Sequence, residues 1–288
     1  MEEKRSENDK RLLIIGLILL CCAFIVGALA IRDRVLRYRA EKQLEELAEQ
    51  TIVEEPEPMI EEEVMEEPEP EVVEEPEVDE EPTEEEKLLA YGVTIPDKEV
   101  DFDNLQETVN KDIYAWIYIP DSAIDYPVLQ HATDTAYYLN YNLDGSKGYP
   151  GCIYTEYYNS KDFTDPLTVV YGHNMKNDTM FAGLHKFEDE EYFNNHPFIY
   201  MYTPEKLLVY EIFAACRHSN EHLLFGHDFS NASSMKLYID DIMKTEGKTS
   251  HFRKDLEVTS DSHILTLSTC VPNQADYRYL VQGVLINE

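Results

Sequence analysis

Ile264-Leu265-Thr266-Leu267-Ser268-Thr269-Cys270-Val271-Pro272 reads as a β-strand that ends at a cysteine. Apolar and β-branched residues suit extended, pleated backbone, and Pro272 lacks the N–H that a continuing strand would need. A cysteine placed there faces a cleft more readily than a core. After a short loop the next strand opens with Tyr277-Arg278-Tyr279, so Arg278 stands eight positions beyond Cys270. A hairpin would bring the two close, because neighbouring strands lie only about 5 Å apart. The register is open at this level, and with it the face that Arg278 takes.

A second strand end lies upstream. Val169-Val170-Tyr171-Gly172-His173-Asn174-Met175 is an apolar run that passes into a glycine and then a histidine. Each residue alone has an ordinary explanation: a core cysteine, a loop histidine, an arginine whose head snorkels to water. Together they form a coherent chemical set. A thiolate attacks a carbonyl, an imidazolium protonates the leaving amine, and a guanidinium stabilises the oxyanion.

Around these two stretches the chain is punctuated into further strand-like runs at 115–119, 124–129, 152–157, 198–202 and 207–216, separated by proline, glycine and asparagine. Asp101 or Asp103 suits the cap of a short helix reaching about Asp112. Helical spacing of apolar residues predicts helices over Thr179–Phe193 and Ser233–Lys244. Strands dominate without steady strand–helix alternation, which predicts a mainly antiparallel, closed or nearly closed barrel with helical insertions.

The first 86 residues are different. Leu12 to Ile31 is a run of 20 residues without a charge. As a helix it would span roughly 30 Å, the thickness of a bilayer core. Ala28-Leu29-Ala30 has the look of a cleavage site, yet the run exceeds the usual signal core of about 7–15 residues, which favours an uncleaved anchor. Four basic residues precede it and five follow, so flanking charge does not set its orientation. Residues 43–86 carry 22 acidic side chains and no basic one, out of a net charge of −34. Repeats such as Val53-Glu54-Glu55-Pro56-Glu57-Pro58 and Met65-Glu66-Glu67-Pro68-Glu69-Pro70 predict a disordered, extended acidic stalk. It has no calcium-loop spacing of carboxylates. The remainder is acidic too, which argues against a nucleic-acid partner. Cys21 and Cys22 lie in the apolar run, leaving Cys152, Cys216 and Cys270, which cannot all pair within one molecule. Cys216, His218 and His222 have a spacing a metal would accept, but Arg217 to Glu221 reads as a polar loop after a strand, and no metal is expected.

Thr266-Leu267-Ser268-Thr269-Cys270, followed by Arg278 and preceded by Tyr171-Gly172-His173-Asn174-Met175, resembles the class B sortases. The likeness runs over roughly 95–288, through Tyr137-Tyr138-Leu139-Asn140 and Met180-Phe181, and leaves out the acidic stalk. It implies a mainly β fold, a sortase-type closed eight-stranded barrel with N-terminal and inserted helices. It also implies a cysteine transpeptidase on the outer face of a Gram-positive membrane. Such an enzyme cleaves a C-terminal sorting signal after threonine, forms a thioester, and passes the surface protein to an amine. The acceptor is a peptidoglycan precursor or a pilin lysine. By residue matching, Cys270 is the nucleophile, His173 the general acid/base and Arg278 the substrate positioner and oxyanion stabiliser, while Ser268 and Leu139 line the groove. This chemistry needs no metal or cofactor. The expected layout is a cytoplasmic N-terminus (1–11), a single-pass anchor (12–31), a juxtamembrane segment and stalk (32–86), and an extracellular catalytic domain (87–288). The alternatives are a cysteine endopeptidase using water as acceptor and a stalked adhesin without catalysis.

Overall fold

The computed structural model describes residues 2–51 and 82–287, with side chains from residue 18 onward. Its β-branched and aromatic runs form nine strands: β1 (Ile113–Tyr118), β2 (Asp125–Leu129), β3 (Ile153–Thr155), β4 (Leu167–Tyr171), β5 (Phe198–Tyr202), β6 (Leu207–Ser219), β7 (His251–Phe252), β8 (Ile264–Val271) and β9 (Gln274–Leu285). They are joined in the order β5-β1-β2-β3-β4-β8-β9-β6-β7, and β5 also pairs with β6. That last pairing closes eight strands into a barrel, with β7 a short addition outside the ring. Closure leaves the ring without unpaired edges of the kind that invite edge-to-edge pairing.

Most pairings are antiparallel, as expected, but β2–β3 and β4–β8 are parallel. The second of these decides where the chemistry sits. Inside the barrel, Ile117, Val128, Leu267 and Val281 are fully buried. A smaller apolar layer forms on the outer face, where Met235, Tyr238 and Ile242 of a long helix cover Phe213, Ile264 and Leu280.

The helices are α1 (Glu2–Gln50), α2 (Glu84–Tyr91), α3 (Phe102–Thr108), α4 (Tyr137–Asn140), α5 (Glu190–Asn195), α6 (Leu223–Gly226) and α7 (Ala232–Met243). Asp101 caps α3 by accepting from the N–H of Asn104, and Asn231 caps α7, the outer-face helix predicted at Ser233–Lys244. The helix predicted over 179–193 is not continuous. Phe181, Leu184 and Phe187 recur every third residue, the period of a 3₁₀ helix, and Phe181–Glu188 takes that form. Asp189 then accepts from the N–H of Tyr192 and starts α5 anew.

The N-terminal helix bears on two of the expectations. Among the described residues no helix is long and apolar enough to cross a membrane. The run expected to do so begins at Leu12, while side chains are described only from Ile18, where they are exposed: 56% at Ile18 and 73% at Phe24. Residues 32–51, assigned to the juxtamembrane segment, continue α1 onto the barrel, where Ala40, Leu44 and Leu47 are buried. Thr51 accepts from the N–H of Glu99 at 3.1 Å. The buried Lys98 ammonium donates to the Thr51 hydroxyl and pairs with Asp125 at 3.0 Å. The stalk falls mostly on residues 52–81, outside the described residues. Its last residues are helical: Glu84 to Glu86 form the first turn of α2, and Thr83 and Glu86 form a reciprocal capping box.

Candidate active site

β4 and β8 run parallel, with Tyr171 paired to Ser268. The ladder continues one step further, since the N–H of Gly172 donates to Ser268 O at 3.2 Å and the Thr269 hydroxyl donates to Gly172 O at 2.8 Å. Two residues past Tyr171 and two past Ser268 bring His173 level with Cys270. Parallel strands end at the same edge, so this pairing delivers both residues to one rim of the barrel. β8 and β9 are antiparallel with Cys270 directly opposite Arg278. Side chains of directly opposed residues project on the same face. The face of Arg278 that the sequence left open is therefore the face of Cys270.

Past this pair the ladder breaks. The next partner of β8 is Val271↔Gln274, so Ala275 to Tyr277 of β9 bulge away from β8. Pro272 and Asn273 turn the chain, with Asn273 at φ 58°, a conformation that asparagine tolerates. The Arg278 guanidinium donates to Ala275 O at 3.1 Å and Tyr277 O at 2.9 Å, so the bulge holds its head group at the rim. The Cys270 thiol is exposed.

His173 is held from several sides. Its Nε2 lies 2.8 Å from the carbonyl oxygen of Leu139. A carbonyl only accepts, so Nε2 carries a proton and Nδ1 is left to exchange one. The Tyr149 ring covers the imidazole at 4.9 Å between centroids. The His173 carbonyl accepts from the N–H of Phe181 at 2.9 Å. Gly172 is required here by space: a Cβ would sit 2.5 Å from Ile153 Cδ1 and 2.7 Å from the Phe181 ring.

Cys270, His173, Arg278, Ser268 and Leu139 all line one cleft of about 300 Å³. All five residues singled out in the sequence meet there, although Leu139 also acts through its backbone, as the acceptor that orients His173. The far wall was not foreseen. It comes from the connection after β6, where His222 Nε2 lies 2.8 Å from Glu156 Oε2, and Glu156, nearly buried, also accepts from the Tyr171 hydroxyl at 3.4 Å. Burial and the Glu156 charge both push the Tyr171 hydroxyl well above the usual phenol range. His222 and Glu156 are 66 residues apart, and no local spacing announces them. His218 also departs from expectation: with Arg217 and Ser219 it lies within β6, opposite Arg278, and not in a loop. Cys216 is buried under α7, and burial pushes its thiol up to about 12. Cys152 is buried and likewise raised. Among the described residues these two do not pair with each other, and no three His, Cys, Asp or Glu side chains converge as a metal site requires.

Comparison with known proteins agrees with this geometry. The family profile described as Sortase domain matches residues 117–286. Sortase B of Listeria monocytogenes is 32% identical over 185 residues, covering 63% of this chain and 73% of that protein. Among solved structures, sortase B of Clostridium perfringens superposes with a TM-score of 0.58 at 30% identity, covering 64% of this chain and all of that one. A sortase B–substrate complex of Staphylococcus aureus gives 0.57 at 26% identity, covering 65% of this chain and 84% of that one.

Proposed function

This chain belongs to the sortase family of cysteine transpeptidases, in its class B branch, and from that premise we propose that Cys270, His173 and Arg278 carry out acyl transfer from a C-terminal sorting signal to a cell-wall amine. The observation that carries the assignment of residues is the shared rim: parallel β4–β8 aligns His173 with Cys270, and antiparallel β8–β9 sets Arg278 opposite the thiol. The Cys270 thiolate attacks the carbonyl carbon of the threonine. The Arg278 guanidinium stabilises the oxyanion. His173 gives its proton, from Nδ1, to the departing amine, and the thioester remains. The acceptor amine then attacks the thioester, loses a proton to His173 and releases the Cys270 thiolate. The acceptor is a peptidoglycan precursor amine, with a pilin lysine the other candidate. Ser268, on the face that Cys270 shares, lies where the signal would pass.

The same proposal keeps a single-pass anchor at 12–31 with the barrel outside the cell. It is supported by the uncharged length of the run and by the exposed apolar side chains from Ile18 to Ile31, which no part of the barrel covers. The test is to mix the full chain in detergent with sorting-signal peptides and amines of cell-wall type, and to follow Cys270 by mass spectrometry. An acyl adduct on Cys270 that passes to the amine is expected, absent from Cys270→Ala. Adducts that yield only hydrolysis with every amine would favour the endopeptidase. No adduct with any peptide would overturn the assignment of the nucleophile.

A further inference from the structure

The residue after the proposed base also has a partner on the nucleophile. Asn174 Nδ2 lies 2.9 Å from the backbone oxygen of Cys270 itself. The same amide nitrogen lies 2.9 Å from His185 Nε2, and His185 Nδ1 lies 2.6 Å from Glu188 Oε1. His185 Nε2 and Cys270 O are 3.1 Å apart, so amide, imidazole and carbonyl form a closed triangle. The His185 ring is stacked on Tyr279 of β9 at 5.2 Å, which leaves it little freedom to turn. Its side chain is only 18% exposed.

The proton pattern follows from what each group can do. Cys270 O accepts only, so Asn174 presents its NH₂ group to it. Two N–H donors cannot face one another at hydrogen-bond distance, so His185 Nε2 carries a lone pair toward that NH₂ group, and its 3.1 Å approach to Cys270 O is a contact between two acceptors that share the Asn174 amide, not a hydrogen bond. The imidazole proton is then on Nδ1, donated to Glu188. The chain of bonds runs from Glu188 through His185 to Asn174 and ends on the peptide of the nucleophile.

We propose that Asn174, oriented by His185 and Glu188, is a positioning residue that ties the strand end bearing His173 to the peptide carbonyl of Cys270, and so fixes the separation of base and nucleophile. Neither residue is otherwise clamped to the other. His173 is held by Leu139 and Phe181, Cys270 by its pairing with Arg278, and the ladder between β4 and β8 stops at Gly172. Asn174 is the cross-link two residues beyond that end. Because a reacting pair displaced by about 1 Å can lose on the order of 100-fold in rate, a single cross-link at this point has kinetic weight. The proposal rests on Cys270 as nucleophile and His173 as base.

The decisive variants differ in hydrogen-bonding sense more than in size. Asn174→Ala deletes the donor. Asn174→Asp keeps the shape but sets a carboxylate oxygen against Cys270 O and His185 Nε2. Positioning predicts that Asn174→Asp is the worse of the two, with Cys270 acylation slowed at least tenfold and KM within twofold of wild type. A role confined to packing predicts the reverse order, since the isosteric change is then the milder. A second pair acts from the other side. His185→Gln retains an acceptor for the Asn174 amide and should stay within about threefold of wild type, whereas His185→Leu should fall about tenfold. Melting temperatures of all four are measured alongside, together with the rate of Cys270 alkylation by iodoacetamide, which needs no substrate. Wild-type acylation in Asn174→Asp, or His185→Leu equal to His185→Gln, would overturn the proposal. A wild-type chain that alkylates at Cys270 but acylates with no peptide would instead bring down the reading of the site beneath it.

Discussion

Gly172 offers a sharp test of how the barrel positions its histidine. In Gly172→Ala the new methyl would lie 2.5 Å from Ile153 Cδ1, and 2.7 and 2.8 Å from Cγ and Cδ2 of Phe181. Ile153 and Phe181 are essentially fully buried, so neither has solvent to retreat into. Overpacking of this kind costs about 1–3 kcal/mol. For a domain of this size each kcal/mol lowers Tm by about 2–4 °C, so a fall of about 2–12 °C is expected in a thermal melt. The change also reaches the chemistry, because the Phe181 N–H donates to His173 O, and a displaced Phe181 pulls the histidine with it. The rate of Cys270 acylation should fall tenfold or more with little change in KM, as for a misplaced base. Ile153→Val removes the methyl that makes the closest contact. In the double variant the two changes should therefore couple favourably by about 1 kcal/mol, within the usual range for touching residues. A Gly172→Ala chain with unchanged Tm and wild-type acylation would refute this reasoning. So would purely additive effects in the Ile153→Val background.

Two further outcomes follow from burial. Burial disfavours the thiolate of Cys216 and pushes its pKa up to about 12, so its reactive fraction grows only as pH climbs toward that value. At pH 8 the fraction is about 10⁻⁴. Peptide mapping after brief iodoacetamide treatment of the folded chain should find Cys270 labelled while Cys152 and Cys216 are protected until denaturant is added. Labelling of Cys216 as fast as Cys270 would contradict the packing of α7. Leu44, 5% exposed where α1 meets the barrel, should cost about 2 kcal/mol or more when changed to alanine. A Tm unchanged within 1 °C would show that α1 does not dock as described.

The strands themselves were legible because their residues alternate and cluster as pleated, buried backbone demands. Phe198–Tyr202 agrees with the reading residue for residue. Ile264–Cys270 gains only Val271, while Cys152–Tyr157 shrinks to Ile153–Thr155. Pairing was not legible. A strand's sequence says which faces are apolar but not which neighbour it meets, and the β4–β8 pairing joins segments almost 100 residues apart. Cys270, His173 and Arg278 stood out because each is a reactive side chain at the edge of an apolar run. The roles of Asn174 and of the Glu156–His222 pair were not legible, since their partners are 11 to 96 residues distant and their spacing carries no period. The helix predicted at 179–193 was placed correctly but given the wrong period, because the 3₁₀ and α spacings share the i, i+3 contact.

The docking of α1 changes what the acidic segment does. A stalk spaces a domain from its anchor only if it lies between them. Here the helix that contains the apolar run continues without a break to Gln50 and buries Leu44 and Leu47 on the barrel. Residues 52–81 therefore leave from a point already seated, at Thr51, and their other end is seated too, since Leu88 and Val93 are buried in the same core. Whatever length that segment spans, it sets no distance between anchor and cleft. α1 does. The Arg37 guanidinium lies 5.7 Å from the Tyr149 ring, which covers His173. Arg37 follows the end of the apolar run at Ile31 by six residues, a rise of about 9 Å along a helix. On the anchor reading, the reactive rim is thereby held close to the bilayer surface by a helix rather than reached through a flexible tether. On that reading and the proposed function, a sorting signal and an acceptor at that surface would need no extended stalk to meet Cys270.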